Sequence, residues 1–154
     1  MGCSSSKALC RDSKESGSSL IPTRKNNPYA QARVDSASPE QILIMLYDAA
    51  IKDIRVAQEA IAASDRGQKA KALDHGVKVI MELINSLRPE KAPEIAENLR
   101  RLYDFMIDRM IQANLKNDAE QLEPVVKVLV ELREAWVEAI RMQRANRNSG
   151  VLGA

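Results

Sequence analysis

The sequence predicts an all-α fold: an antiparallel, up-down four-helix bundle with a disordered N-terminal extension. Three observations predict it. Aliphatic residues and alanine supply nearly all the hydrophobicity, since aromatics make up only 3% of the 154 residues and β-branched runs are few. Apolar residues recur at helical spacing in four separate segments. The connections between those segments are short, and short loops force neighbouring helices to run in opposite directions.

Residues 1–27 are rich in Ser, Gly and Lys with scattered apolar side chains, and read as a disordered leader. The folded domain is expected over residues 28–146, with a frayed tail at 147–154. The first helix should run from about Pro39 to Ala63. Ser38 offers an N-cap, Pro39 sits at the first helical position with φ already set, and Gln41 completes a capping box. Its apolar residues form two stripes. Ile42, Leu43, Leu46, Ala49 and Ala50 make one; Ile44, Tyr47 and Ile51 make another, roughly 100–200° away around the helix. A helix that is apolar around most of its circumference is either deeply buried or covered by a partner.

Ser64 or Asp65 can cap the second helix, whose core series is Leu73, Val77, Ile80, Ile84 and Leu87. Pro89 and Pro93 bracket the next connection. The third helix carries Ile95, Leu99, Leu102, Met106 and Ala113, with Tyr103, Ile107 and Met110 alongside. Asp118 can cap the fourth, with Gln121 at the third position. Leu122, Val125, Leu129, Leu132, Trp136 and Ile140 form its core stripe. Pro124 either moves the true start to about Glu123 or kinks the first turn.

Charge and chemistry exclude several classes. Residues 1–37 hold Lys7, Arg11, Lys14, Arg24, Lys25 and Arg33 against Asp12, Glu15 and Asp35, a net +3, so the remainder of the +2 chain is −1. A mildly acidic domain between basic tails argues against a nucleic-acid partner, which would want a basic stripe on a folded face. Both cysteines, Cys3 and Cys10, lie in the leader, which suits a reducing cytosol. No stretch approaches the roughly 18–20 apolar residues of a membrane span, and no apolar run of a secretory signal is visible. A bundle invites a di-metal site, but that site needs Glu-x-x-His pairs on two helices. The one histidine, His75, has no Glu three residues before it and reads as a surface or boundary residue. Without a base beside a nucleophile, and without a Gly-rich phosphate loop, neither an enzyme nor a bound cofactor is expected. Glu97 and Arg101 typify the solvated helical faces.

Several separated segments carry a family likeness. They are Pro28-Tyr29-Ala30-Gln31, Ser36-Ala37-Ser38-Pro39 with Ile42 to Asp48, Ile95-Ala96-Glu97-Asn98-Leu99, and Leu102-Tyr103-Asp104. Arg109, Gln112-Ala113-Asn114-Leu115, Asn117-Asp118 and Trp136 follow. In this order and spacing, over about residues 28–140, the chain resembles the FliS family, the export chaperones of bacterial flagellin. It departs from the family at Ala49, which replaces a frequent Gly, in the Pro89–Pro93 connection, and in the leader.

The resemblance implies a cytoplasmic chaperone. Such a protein binds the C-terminal segment of flagellin, prevents premature polymerisation and delivers the monomer to a component of the type III export gate. An amphipathic, disordered client needs an apolar groove. Surplus apolar side chains on the first helix (Ile42, Ile44, Met45, Tyr47, Ile51), the third (Leu102, Tyr103) and the fourth (Val126, Val130, Val137, Trp136) can supply one. Tyr47 and Tyr103 are read either as groove wall or as core, and Asn98 and Asn114 either as binders of partner backbone or as bridges between helices. The segment around Tyr29 is either an autoinhibitory occupant of the groove or an ordinary cap. Exposed apolar surface on the first helix also makes self-association an expectation.

The leader offers a competing story. Met1-Gly2-Cys3-Ser4-Ser5-Ser6-Lys7 fits an N-myristoylation pattern at Gly2, with Cys3 placed for a second acyl chain. Acylated, the chain would be a membrane-tethered helical scaffold or adaptor; otherwise the leader is an unstructured extension with no membrane contact. A secretion chaperone for another client is the remaining alternative.

Overall fold

The structure, a computed structural model, describes residues 36–152, with side chains through residue 150. Its helices are α1 (Pro39–Ala62), α2 (Arg66–Asn85), α3 (Pro93–Lys116) and α4 (Glu123–Leu152), with a 3₁₀ turn at Ala119–Leu122 leading into α4. No strand occurs among the described residues. Helix α1 packs against α2 and α4, α2 packs against α3, and the 3₁₀ turn ties α3 to α1 and α4. Neighbours are antiparallel. Along α1 and α4, Gln58 meets Glu123, Asp48 meets Arg133, and Glu40 meets Arg144.

Local chemistry sets the helix ends. The capping box expected at α1 is formed: the Gln41 amide donates to Ser38 Oγ at 3.2 Å and the Ser38 amide to Gln41 Oε1 at 2.9 Å. At the other end, the Asp65 amide reaches the Ala60 carbonyl at 2.8 Å and the Ser64 amide the Ile61 carbonyl at 3.1 Å. This is a Schellman closure, with Ser64 in the left-handed region at φ 57°. Asp65 then caps α2 through the Gln68 amide at 3.0 Å. Helix α3 starts on Pro93 and ends at Asn117, also left-handed at φ 52°, where Asn is better tolerated than most residues.

The core is aliphatic. Ile54, Ile80, Leu83, Met106, Met110, Leu122, Val125 and Leu129 are fully buried. Gly76 lets α2 approach both neighbours: a Cβ there would stand 2.9 Å from Met110 Cε and 3.5 Å from Asp53 Cβ. Lys69 is only 8% exposed. Its ammonium donates to the Asn114 carbonyl at 3.2 Å and to Asn117 Oδ1 at 2.5 Å. A cation is thereby set on the negative end of the α3 dipole, where its burial is compensated.

Four sequence expectations are corrected. Val79 and Leu83 are core residues although they lie outside the expected α2 stripe; α2 is covered by α1 on one flank and α3 on the other, which widens its apolar face. Ile95 is 59% exposed, because the first turn of α3 sits at the rim of the bundle. Asp118 caps the 3₁₀ turn through the Glu120 amide, not α4 itself. Residues 147–152 continue α4 rather than fray. Arg147 reaches Glu40 at 3.2 Å, and Ser149 Oγ donates to the Ala145 carbonyl at 3.0 Å.

The caps generate two stability predictions. Ser38→Ala should cost about 1 kcal/mol. Ser64→Gly, by relieving a left-handed serine, should stabilise by up to about 1 kcal/mol. Urea midpoints with unchanged m-values would check both.

Candidate functional site

The connection of α2 to α3 opens a cleft of about 380 Å³ at one end of the bundle. Pro39 and Leu43 of α1, Leu87 of the connection just past α2, Ile95, Ala96, Leu99 and Tyr103 of α3, and Trp136 of α4 line it, so three helices and the α2–α3 connection build the cleft. The walls are apolar. Arg88 and Lys91, from the connection, are its charged lining residues.

The sequence forms a cleft here for a local reason. Pro89 and Pro93 bracket the connection and Pro93 fixes the first position of α3. Between them the chain crosses from α2 to α3 in a hydrogen-bonded turn, with the Lys91 and Ala92 amides donating to the Arg88 carbonyl at 3.0 and 3.3 Å. Pro39 fixes the first position of α1 and places Leu43 one turn further in.

Behind the cleft lies a polar contact inside an apolar core. The Trp136 indole N–H donates to the Tyr47 hydroxyl at 3.0 Å, and the hydroxyls of Tyr47 and Tyr103 share a hydrogen bond at 2.5 Å. Both tyrosines are buried. Burial, which penalises the phenolate, raises the Tyr47 pKa against the opposing effect of its two hydrogen bonds. For Tyr103 burial is again the largest cause, reinforced by its bond to Tyr47, and the pKa lies far above 10.0. Trp136 is half-buried and Tyr103 lines the cleft, so this contact couples the cleft to the packing of α1, α3 and α4.

The expected site residues divide into groups. Ile42 and Met45 are exposed on α1, and Val137 on α4. Ile44, Ile51, Leu102, Val130 and Trp136 are half-buried. Asn98 and Asn114 have exposed positions, and the Asn114 carbonyl serves Lys69. Of the two readings left open for Tyr47 and Tyr103, both side chains take the core one, although Tyr103 also lines the cleft, and Val126 is corrected to a core residue: all three are at most 5% exposed. Gly2, Cys3 and Tyr29 lie outside the described residues. His75 is exposed, as expected, and pairs with Asp53 at 2.5 Å. Arg109 donates to Gln121 at 2.6 Å and covers the Phe105 ring.

The sequence assigned Leu43, Leu87, Ile95 and Leu99 to core stripes and did not single out Arg88 or Lys91. The available signal was positional. Leu43, Leu87, Arg88, Lys91 and Ile95 each stand within about a turn of Pro39, Pro89 or Pro93, where a helical stripe has fewer partners to bury it. Among the described residues, no helix is long and apolar enough to cross a membrane, and no group of His, Cys, Asp or Glu is placed to hold a metal ion.

The fold and the cleft define a class: a helical bundle with an apolar surface open to a ligand or a partner. Comparison with known proteins makes this specific. Residues 22–143 match the model of the family described as flagellar protein FliS. The flagellar secretion chaperone FliS of Bacillus subtilis is 34% identical over 125 residues, covering 79% of this chain and 92% of that one. The flagellar secretion chaperone FliS of Salmonella typhimurium is 41% identical over 113 residues, covering 70% and 84%. A solved structure described as a flagellar chaperone from bacteria superposes with a TM-score of 0.64 at 19% identity, over 74% of this chain and 93% of that one, and shares the fold. The chain belongs to the FliS family of flagellar secretion chaperones.

The buried tyrosines generate a pH prediction. A raised folded-state pKa stabilises the fold fully below pH 10, where both states keep the proton. Above it the unfolded chain ionises first and stability falls. The unfolding midpoint should therefore drop steeply above about pH 10, and Tyr103→Phe should flatten the drop while costing about 0.5–1.5 kcal/mol at pH 7. Urea titrations of both proteins between pH 7 and pH 11 would measure this.

Proposed function

We propose that the protein is a cytoplasmic chaperone that binds the C-terminal segment of flagellin, prevents its premature polymerisation and delivers it to the type III export gate. The observation that carries this reading is the apolar cleft walled by Leu43, Leu87, Ile95, Leu99 and Trp136, in a member of the FliS family. Ile42 and Met45 add exposed apolar side chains elsewhere on α1. An amphipathic segment that is disordered when free gains a folded shape by covering such surface. Ordering it takes roughly 2–5 kcal/mol out of the gross contact energy, which leaves the complex releasable at the gate. The segment around Tyr29, which precedes α1, is proposed to occupy the groove in the free chaperone and to leave when the client arrives.

Calorimetric titration of the full chain with the flagellin C-terminal segment from the same organism tests the reading. Binding should be 1:1 with a negative heat-capacity change. Ile95→Asp, at an exposed position in the cleft, should weaken it at least tenfold, about 1.4 kcal/mol. Met81→Asp, exposed but outside the cleft, should bind as the parent does. Absence of binding to the folded parent would overturn the assignment of the client.

A further inference from the structure

The walls of the cleft are apolar, but its rim is cationic. Arg88 and Lys91 both line it from the connection between α2 and α3. Among the described residues their charges are barely answered. Arg88 meets Glu90 only at 3.9 Å with both side chains largely exposed, a pairing worth little in water. Lys91 has no ion-pair partner among the described residues. Glu90 and Glu94 stand on the same stretch of chain but do not line the cleft. The arginines of α4 provide the contrast: Arg133 pairs with Asp48, Arg141 with Glu138, and Arg144 and Arg147 with Glu40.

An apolar trough edged by one weakly paired and one unpaired cation among the described residues is complementary to an apolar segment that carries negative charge. We infer that the client segment seated in this cleft carries an acidic side chain among its apolar residues, and that Arg88 and Lys91 receive its carboxylate. This rests on the proposed function and adds the chemistry by which the client is chosen and placed. The carboxylate belongs to a side chain within the segment rather than to a chain terminus. Apolar wall residues come from α1 (Leu43), α3 (Ile95, Leu99) and α4 (Trp136), and a segment whose apolar side chains cover all of them crosses the cleft instead of ending in it. Cations on an exposed rim act mainly by steering the encounter and fixing the register of the segment, and salt weakens both effects.

The test titrates the full chain and the Arg88→Glu/Lys91→Glu variant with the flagellin C-terminal segment, at low salt and at 0.5 M salt. Both positions are exposed, so circular dichroism of the variant should match the parent. The expected result is binding weakened about tenfold at low salt, slower association, and loss of most of the salt dependence seen with the parent. Replacing each acidic residue of the segment by its amide in turn should identify one whose loss weakens binding to the parent but not to the variant. Equal affinity of parent and variant at low salt would overturn the inference while leaving the proposed function standing. Weakening by amidation of the segment's C-terminus, and by no side-chain replacement, would overturn the choice of a side-chain carboxylate. No binding by the parent would overturn the inference and the proposed function together.

Discussion

Three side chains from three helices meet at one hydroxyl. Tyr47 of α1 accepts from Trp136 of α4 and shares a hydrogen bond with Tyr103 of α3. Aliphatic packing alone is forgiving of small slides, because one methyl fills much the same space as another. A buried hydroxyl is less forgiving, since leaving it without a partner costs about 1–3 kcal/mol. The contact thus fixes the axial register of α1, α3 and α4 at one level of the bundle. It is also the level at which the cleft opens, because Tyr103 and Trp136 both line it. Fold specificity and the proposed binding surface share the same residues.

The far end of the bundle is closed by different means. Lys69 grips the last turn of α3, Gly76 admits Met110 and Asp53 at close range, and the 3₁₀ turn capped by Asp118 carries the chain into α4. Arg109 reinforces that turn from α3 through Gln121. Along the outer seam of α1 and α4, Asp48 and Glu40 collect Arg133, Arg144 and Arg147. These exposed pairs add little stability, but they line the long α4 up against the start of α1, next to Pro39 and the cleft. One end is stapled, and the other leaves the apolar cleft open.

Much of this was legible in the sequence, for identifiable reasons. The capping box at Ser38 and Gln41 and the stripe Leu122, Val125, Leu129 are local patterns, and the structure contains them as written. What periodicity cannot supply is which members of two apolar stripes are buried. On α1 each stripe contributes, Ala50 from one and Tyr47 from the other, and Tyr47 is held by hydrogen bonds to residues 56 and 89 positions away. Ile95 shows the converse: helical spacing placed it with the core, but its position in the first turn leaves it uncovered. Lys69 reads as a surface residue in any sequence pattern and is buried only because Asn117 turns left-handed beneath it. Residues 147–152 lack apolar periodicity, so nothing in the sequence announced that the helix continues, held by ion pairs to Glu40.

The central claim is that the client lies across the cleft where the three-residue hydroxyl contact sits, and not on another apolar part of the bundle. Hydrogen exchange of the full chain, free and saturated with the flagellin C-terminal segment, tests it most directly. The account predicts slowed exchange in the opening turns of α1, across residues 86–99 and around Trp136. Unchanged exchange there, with protection instead along α2 and α3 near Met81, Ile111 and Leu115, which are also exposed and apolar, would contradict it.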